Sequence, residues 1–150
     1  MKTEQGSVVK EFNQLYKEYD VLWHELALSI GLSDSALEIL YSVFILGNGC
    51  MQKDICKMSY ARKQTINSSI QKLEKDGMLH LKRGKRREMH ICLTEKGQQF
   101  VTENIEPVVA MENRAFEEMT PAESRELLRL TKKHLGNYRN KVKELIQESK

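Results

Sequence analysis

Residues 51–94 restrict the fold more than any other part of this chain. Two short helical segments read there, from about Gln52 to Met58 and from about Ala61 to Asp76. In the second, Ile66, Ile70 and Leu73 recur at helical spacing and predict a buried face, and Gly77 stops the helix. Leu79 and Leu81 then alternate with His80 and Lys82, and Met89, Ile91 and Leu93 alternate with His90 and Cys92. Two alternating runs around Gly84 predict a β-hairpin with one buried side.

The hairpin tip reads Lys82-Arg83-Gly84-Lys85-Arg86-Arg87, in which five of six residues are cations. Charge is sorted along the chain. Residues 1–50 carry three Lys/Arg against seven Asp/Glu, residues 51–100 twelve against five, and residues 101–150 nine against nine. The net +3 therefore hides a middle third of +7, the local concentration a polyanion-binding face requires. The helix ahead of the hairpin opens Arg62-Lys63-Gln64-Thr65-Ile66-Asn67-Ser68, with hydrogen-bonding groups on its outer side. Such a helix fits a major groove, and a basic hairpin reaches a neighbouring groove or phosphates. The expected fold is mainly α with a small β-hairpin wing: a winged helix-turn-helix that binds double-stranded DNA.

The flanking segments are long amphipathic helices. Phe12, Leu15, Tyr16, Tyr19, Leu22, Trp23, Leu26 and Ile30 mark the first, stopped by Gly31. A second is expected from about Ser35, where Ser35-Ala36-Leu37-Glu38 has the form of a capping box, to Gly47-Asn48-Gly49. Thr94 opens a run reaching about Met119, which Pro107 should kink or divide near Ile105. Thr120-Pro121-Ala122-Glu123 starts a last helix carrying Leu127, Leu128, Leu135, Tyr138, Val142, Leu145 and Ile146. The outer helices have more apolar stripe than a small winged core can cover, which predicts a homodimer built on Leu15, Leu22, Leu135, Tyr138, Val142 and Leu145.

This order resembles the MarR family of bacterial regulators, named for multiple antibiotic resistance. The matching stretches are Gln52-Lys53-Asp54-Ile55-Cys56, the run from Arg62 to Leu73-Glu74-Lys75-Asp76-Gly77, and Arg86 through Leu93-Thr94-Glu95-Lys96-Gly97. The resemblance implies a single domain over 1–150, with residues 33–94 as the DNA-binding core and residues 1–32 and 95–150 as long N- and C-terminal dimerisation helices. It also implies a repressor on a near-palindromic operator, released by a small aromatic or anionic effector. The family wing commonly has an Asp two residues before an Arg. Here those positions are Lys85 and Arg87, implying a more electrostatic wing. The usual small polar cap before the third helix is Met51.

The candidate recognition residues are therefore Arg62, Lys63, Gln64, Thr65, Asn67, Ser68 and Lys72, with Lys82, Arg83, Lys85, Arg86 and Arg87 on the wing. Arg suits guanine and Asn or Gln adenine, each worth roughly 1–3 kcal/mol of discrimination. Tyr16, Tyr19, Trp23 and His24 are candidates for an effector cavity, as in relatives that bind aromatic anions, although a core or interface role explains them more simply.

No metal or cofactor is expected. Cys50 and Cys56 lack a matching ligand pair, and His24, His80, His90 and His134 are not at ligand spacing. No nucleophile–base motif or phosphate loop suggests an enzyme. Without an apolar leader or a bilayer-length apolar run, a cytoplasmic protein with reduced thiols and no membrane partner is expected. Two other readings stay open: a protein-binding winged helix, and a redox- or metal-responsive regulator, with Cys92 the redox candidate.

Overall fold

The structure, a computed structural model, describes residues 2–59 and 62–150. Its elements are α1 (Ser7–Ser29), α2 (Asp34–Leu46), α3 (Gln52–Ser59), α4 (Lys63–Lys75), β1 (Leu79–Arg83), β2 (Met89–Leu93), α5 (Glu95–Phe100), a π-helical turn (Val101–Ile105), α6 (Glu106–Glu117) and α7 (Pro121–Glu148). They form two compact units, Met1–Pro107 and Val108–Lys150. Ala61, where the sequence places the start of the fourth helix, lies outside the described residues; Lys63 is the first helical residue of α4.

The first unit is built on α2. Ala36, Leu37, Ile39, Leu40, Ser42 and Val43 are all buried, so this helix is enclosed on most of its circumference. Helices α1, α3 and α4 and the π turn all pack against it. They contribute Ala27, Ile55, Ile66, Ile70, Leu73, Val101 and Ile105, and the hairpin adds Leu79 and Ile91. The core thus extends beyond residues 33–94 at both ends. Buried Ser42 donates its hydroxyl to the Glu38 carbonyl (2.7 Å), so no polar atom is stranded there. Trp23 meets Tyr41 edge to face, ring centroids 5.5 Å apart.

The start of α2 differs from expectation. The cap is Ser33, whose hydroxyl oxygen accepts from the Ala36 N–H at 3.1 Å. The Ser35 hydroxyl is engaged instead with that of Ser69 on α4. Ser35 lies one residue inside the helix, and its hydroxyl also meets that of Ser33 at 3.3 Å.

Strands β1 and β2 pair antiparallel, from Leu79 opposite Leu93 to Arg83 opposite Met89. The segment ahead of α3 is joined to them by backbone bonds and an isolated bridge. Gly49 N–H donates to the Ile91 carbonyl, Ile91 N–H to the Cys50 carbonyl (both 2.8 Å), and Met51 bridges His90. The Asn48 side chain accepts from Leu93 N–H at 2.8 Å. The segment leading into α3 is thus tied to the hairpin by backbone bonds.

The two motifs Leu73–Gly77 and Leu93–Gly97 meet. Thr94 caps α5 by accepting from Gly97 N–H (3.0 Å), and its hydroxyl lies 2.5 Å from the Gly77 carbonyl. Lys96 donates to the Asp76 carbonyl at 2.8 Å. A Cβ on Gly97 would collide with the Met78 carbonyl. The end of α4 is clamped to the start of α5, with glycine required by the close backbone approach.

Pro107 acts one turn earlier than a simple kink. It has no N–H, and its ring would strike the carbonyl four residues back in a regular α-helix. The preceding turn is widened, with Glu106 N–H donating to Val101, five residues back. Thr102 and Asn104 side chains donate to the Gln98 and Phe100 carbonyls.

In the second unit, α7 begins with a complete capping box. Thr120 accepts from Glu123 N–H (3.1 Å) and the Glu123 carboxylate accepts from Thr120 N–H (2.8 Å). No residue of α7 is buried. No single helix among the described residues is long and apolar enough to cross a membrane.

The clamp yields a stability test. Gly97→Ala should lower stability by roughly 1–3 kcal/mol, because a fixed backbone carbonyl must move. Thr94→Ala should cost about 1 kcal/mol through the lost cap. Thermal denaturation by circular dichroism reads both, and an unchanged Tm for Gly97→Ala would show that the clamp does not exist.

Candidate nucleic-acid interface

Helix α4 presents the face the sequence implies. Ile66, Ile70 and Leu73 are buried, which leaves Arg62, Lys63, Gln64, Thr65, Ser68 and Lys72 exposed. Asn67 is half-buried, and its side-chain oxygen accepts from the Gln52 amide on α3. That bond braces α3 against α4 and spends one of the two groups Asn67 would need to grip an adenine. Ser68 donates to the Gln64 carbonyl at 3.0 Å, so its hydroxyl hydrogen is also engaged within the helix. Gln64 and Gln71 are the exposed amides on this face, with Gln64 in the first turn of the helix.

The start of α4 is electrostatically unlike those of α2, α5 and α7. Each of those has a hydroxyl cap (Ser33, Thr94, Thr120) and an acid in its first turn (Asp34, Glu95, Glu123). At α4, the cap position is Arg62, no side chain caps it, no acid lies in the first turn, and Lys63 is the first helical residue. Cations at a helix N-terminus are unfavourable by roughly 0.3–1 kcal/mol, the reverse of what helix stability asks for. They suit an anion brought from outside. Between this helix start, α3 and β2 lies a cleft of about 440 Å³, lined by Gln52, Lys53, Cys56, Lys63, Asn67 and Met89.

The wing cations Lys82, Arg83, Lys85, Arg86 and Arg87 are all exposed. The turn closes through Gly84 N–H donating to the Glu88 carbonyl (2.8 Å) and Arg87 N–H to the Gly84 carbonyl (3.3 Å). Arg87 has φ +62°, the left-handed region, and is the only non-glycine among the described residues with positive φ. Glu88 folds its carboxylate back over the turn and accepts from Arg86 N–H at 2.8 Å. Its own N–H, then that of Arg86 and the His90 ring, hold the Glu88 carboxyl below the usual carboxylate range. Sequence reasoning missed Glu88, Gln52 and His90. The available signal for Glu88 was one acid inside a run of cations.

The remaining candidates divide. Tyr16 and Tyr19 are exposed and meet edge to face at 6.2 Å. Trp23 packs on Tyr41, and His24 meets Asp34 at 2.7 Å. Tyr16 and Tyr19 thus meet each other, whereas Trp23 and His24 both meet residues of α2. Leu15, Leu22, Leu135, Tyr138, Val142 and Leu145 are all exposed, Tyr138 at 63% and Leu145 at 64%. Burial, with Asp54 next in effect, pushes the Cys50 thiol up, which lowers its thiolate population. Among the described residues no three His, Cys, Asp or Glu side chains gather to hold a metal ion.

No protein-family model matches the sequence, and no curated protein matches it. Solved structures do. A MarR-family transcriptional regulator from Silicibacter pomeroyi is 20% identical, covering 88% of this chain and 90% of that one, with a TM-score of 0.65. The chain has the MarR fold. A MepR–DNA complex from Staphylococcus aureus is 16% identical over 85% of this chain and 93% of that one, with a TM-score of 0.69. Bordetella bronchiseptica BpsR, in a structure describing regulation of its DNA binding by 6-hydroxynicotinic acid, is 19% identical over 86% and 98%, with a TM-score of 0.66. The similarity spans both units, so the MarR fold accounts for α1, α6 and α7 as well as for the winged core.

Arg87 gives this site a test of its own. Arg87→Gly relieves a left-handed backbone that costs a non-glycine residue roughly 1–2 kcal/mol, against about 0.5–1 kcal/mol of added unfolded-chain entropy. Tm should stay level or rise slightly. A clear fall in the melting curve would mean that the Arg87 side chain holds the wing together.

Proposed function

We propose that this chain is a MarR-family transcriptional regulator that binds double-stranded DNA as a homodimer. The observation that carries the proposal is the start of α4: uncapped, without a first-turn acid, led by Arg62 and Lys63, and flanked by a wing bearing five exposed cations. This arrangement is unfavourable for the isolated helix and favourable against phosphates. The recognition set is Arg62, Lys63, Gln64, Thr65, Asn67, Ser68 and Lys72. Gln64 reads bases, and Arg62, Lys63, Thr65, Ser68 and Lys72 hold the backbone. Asn67 acts partly through its bond to Gln52. Lys82, Arg83, Lys85, Arg86 and Arg87 grip phosphates at a neighbouring groove.

The exposed apolar residues of α1 and α7 support the dimer. Leu15, Leu22, Leu135, Tyr138, Val142 and Leu145 belong to the surface a second copy covers. Two copies place two α4 helices in successive major grooves, so the operator is a near-palindrome and the protein represses by occlusion. A small aromatic or anionic effector, bound near Tyr16 and Tyr19 on α1, releases it by changing the spacing of the two α4 helices. The similar structures from Silicibacter pomeroyi and Staphylococcus aureus are described as transcription regulators, in keeping with this role.

Affinity for duplex DNA should fall steeply with salt, with a slope of roughly −0.9 per phosphate neutralised. No binding at low salt, or a flat response, rules out the DNA reading. Gln64→Ala should alter preference at particular positions in selected sequences, whereas Arg83→Ala should weaken all sequences about equally.

Light scattering at micromolar concentration should give twice the mass of the 17.5 kDa chain. A stable monomer there refutes the dimer while leaving DNA binding to be judged by the titration.

A further inference from the structure

We propose that Glu88, the one acid in the wing turn, is a positioning residue for DNA binding: it strengthens binding although its charge opposes it. The inference rests on the DNA reading above and deepens it. Four observations support the role. The Glu88 carboxylate accepts from Arg86 N–H (2.8 Å), and the Glu88 carbonyl accepts from Gly84 N–H (2.8 Å), so both ends of the residue close the same turn. Gly84 leaves the space this requires, since a Cβ there would collide with the Glu88 carboxylate and the His90 ring. The other carboxylate oxygen faces His90 Nε2 at 3.5 Å, and His90 Nδ1 lies 2.7 Å from the Gly49 carbonyl it donates to. Gly49 begins the bridged segment that leads into α3.

Glu88 therefore closes the cationic tip from both ends of the turn, with the His90 ring packed beside its carboxylate. Lys85, Arg86 and Arg87 lie between Gly84 and Glu88, in a turn containing a strained arginine. Without the carboxylate, the Arg86 N–H loses its partner and the turn samples more conformations. Each then presents the three cations differently, and order lost before binding must be restored on binding. Simple charge counting points the other way. A carboxylate among phosphate-binding cations repels DNA, so its removal should tighten binding. The sign of the effect separates positioning from net charge.

The test uses the full-length protein and sheared duplex DNA of mixed sequence at low salt. Glu88→Ala should bind about 5–10-fold more weakly, in spite of the gain in net positive charge. Glu88→Gln keeps an oxygen that can accept from Arg86 N–H and drops the charge, so it should bind as tightly as the native protein or more tightly. Gly84→Ala displaces the carboxylate at constant charge and should weaken binding like Glu88→Ala. The double variant Glu88→Ala with Gly84→Ala should be no weaker than either alone.

If native protein binds and Glu88→Ala binds equally or more tightly, this inference fails and the DNA reading stands. If Glu88→Gln is as weak as Glu88→Ala, the charge rather than the turn bond is what matters, and the inference also fails. If native protein does not bind the duplex at all, the DNA reading itself is lost, and this inference with it.

Discussion

Everything in the first unit depends on the burial of α2. A helix with only one apolar stripe can be covered from one side, but α2 carries Ala36, Leu37, Ile39, Leu40, Ser42 and Val43 around most of its circumference. It must be surrounded to be stable in water. Helices α1, α3 and α4 and the π turn are the surround, which sets their mutual positions. The outward face of α4 is fixed as a result: once Ile66, Ile70 and Leu73 face α2, residues 62–65, 68 and 72 have only solvent to face. The core thus orients the proposed recognition surface without contributing a residue to it.

The site itself runs against local stability. Three helices start with a hydroxyl cap and an acid, while α4 starts with two cations and no side-chain cap. The wing adds a non-glycine residue in left-handed backbone. Departures from local consistency gather where a protein meets a ligand, and the rest of the fold compensates. Here compensation is visible in the clamp between Gly77–Met78 and Thr94–Gly97, which holds the far end of α4.

Periodic features were legible in the sequence and closures were not. Ile66, Ile70 and Leu73 specify the inner face of α4 because a 3.6-residue repeat survives without any tertiary knowledge. The alternation of Leu79, Leu81, Met89, Ile91 and Leu93 specifies the hairpin in the same way. Thr120–Glu123 is a strictly local box and was readable as written. Ser33 and Ser35 were not separable, because both are serines at the helix start and the contact of Ser35 with Ser69 is tertiary. The bridged segment at Gly49–Met51 is too short to show alternation. Asn67 read as a free amide because Gln52, fifteen positions earlier, gives no local sign of reaching it. Glu88 read as one charge among many, since its role exists only when the turn is closed.

The backbone bonds between residues 49–51 and β2 limit how this fold can be varied. Exchanging recognition parts between relatives assumes a cassette with free ends, and the wing is not one. Its second strand shares backbone bonds with the chain entering α3, and Asn48 takes the N–H of Leu93. A chimera that swaps only residues 85–87 respects those joints. One that swaps the whole hairpin cuts the chain where it is stitched to the helix-turn-helix, so the donor must bring its own residues 48–51. The unit that can be exchanged is therefore the hairpin together with the segment stitched to it.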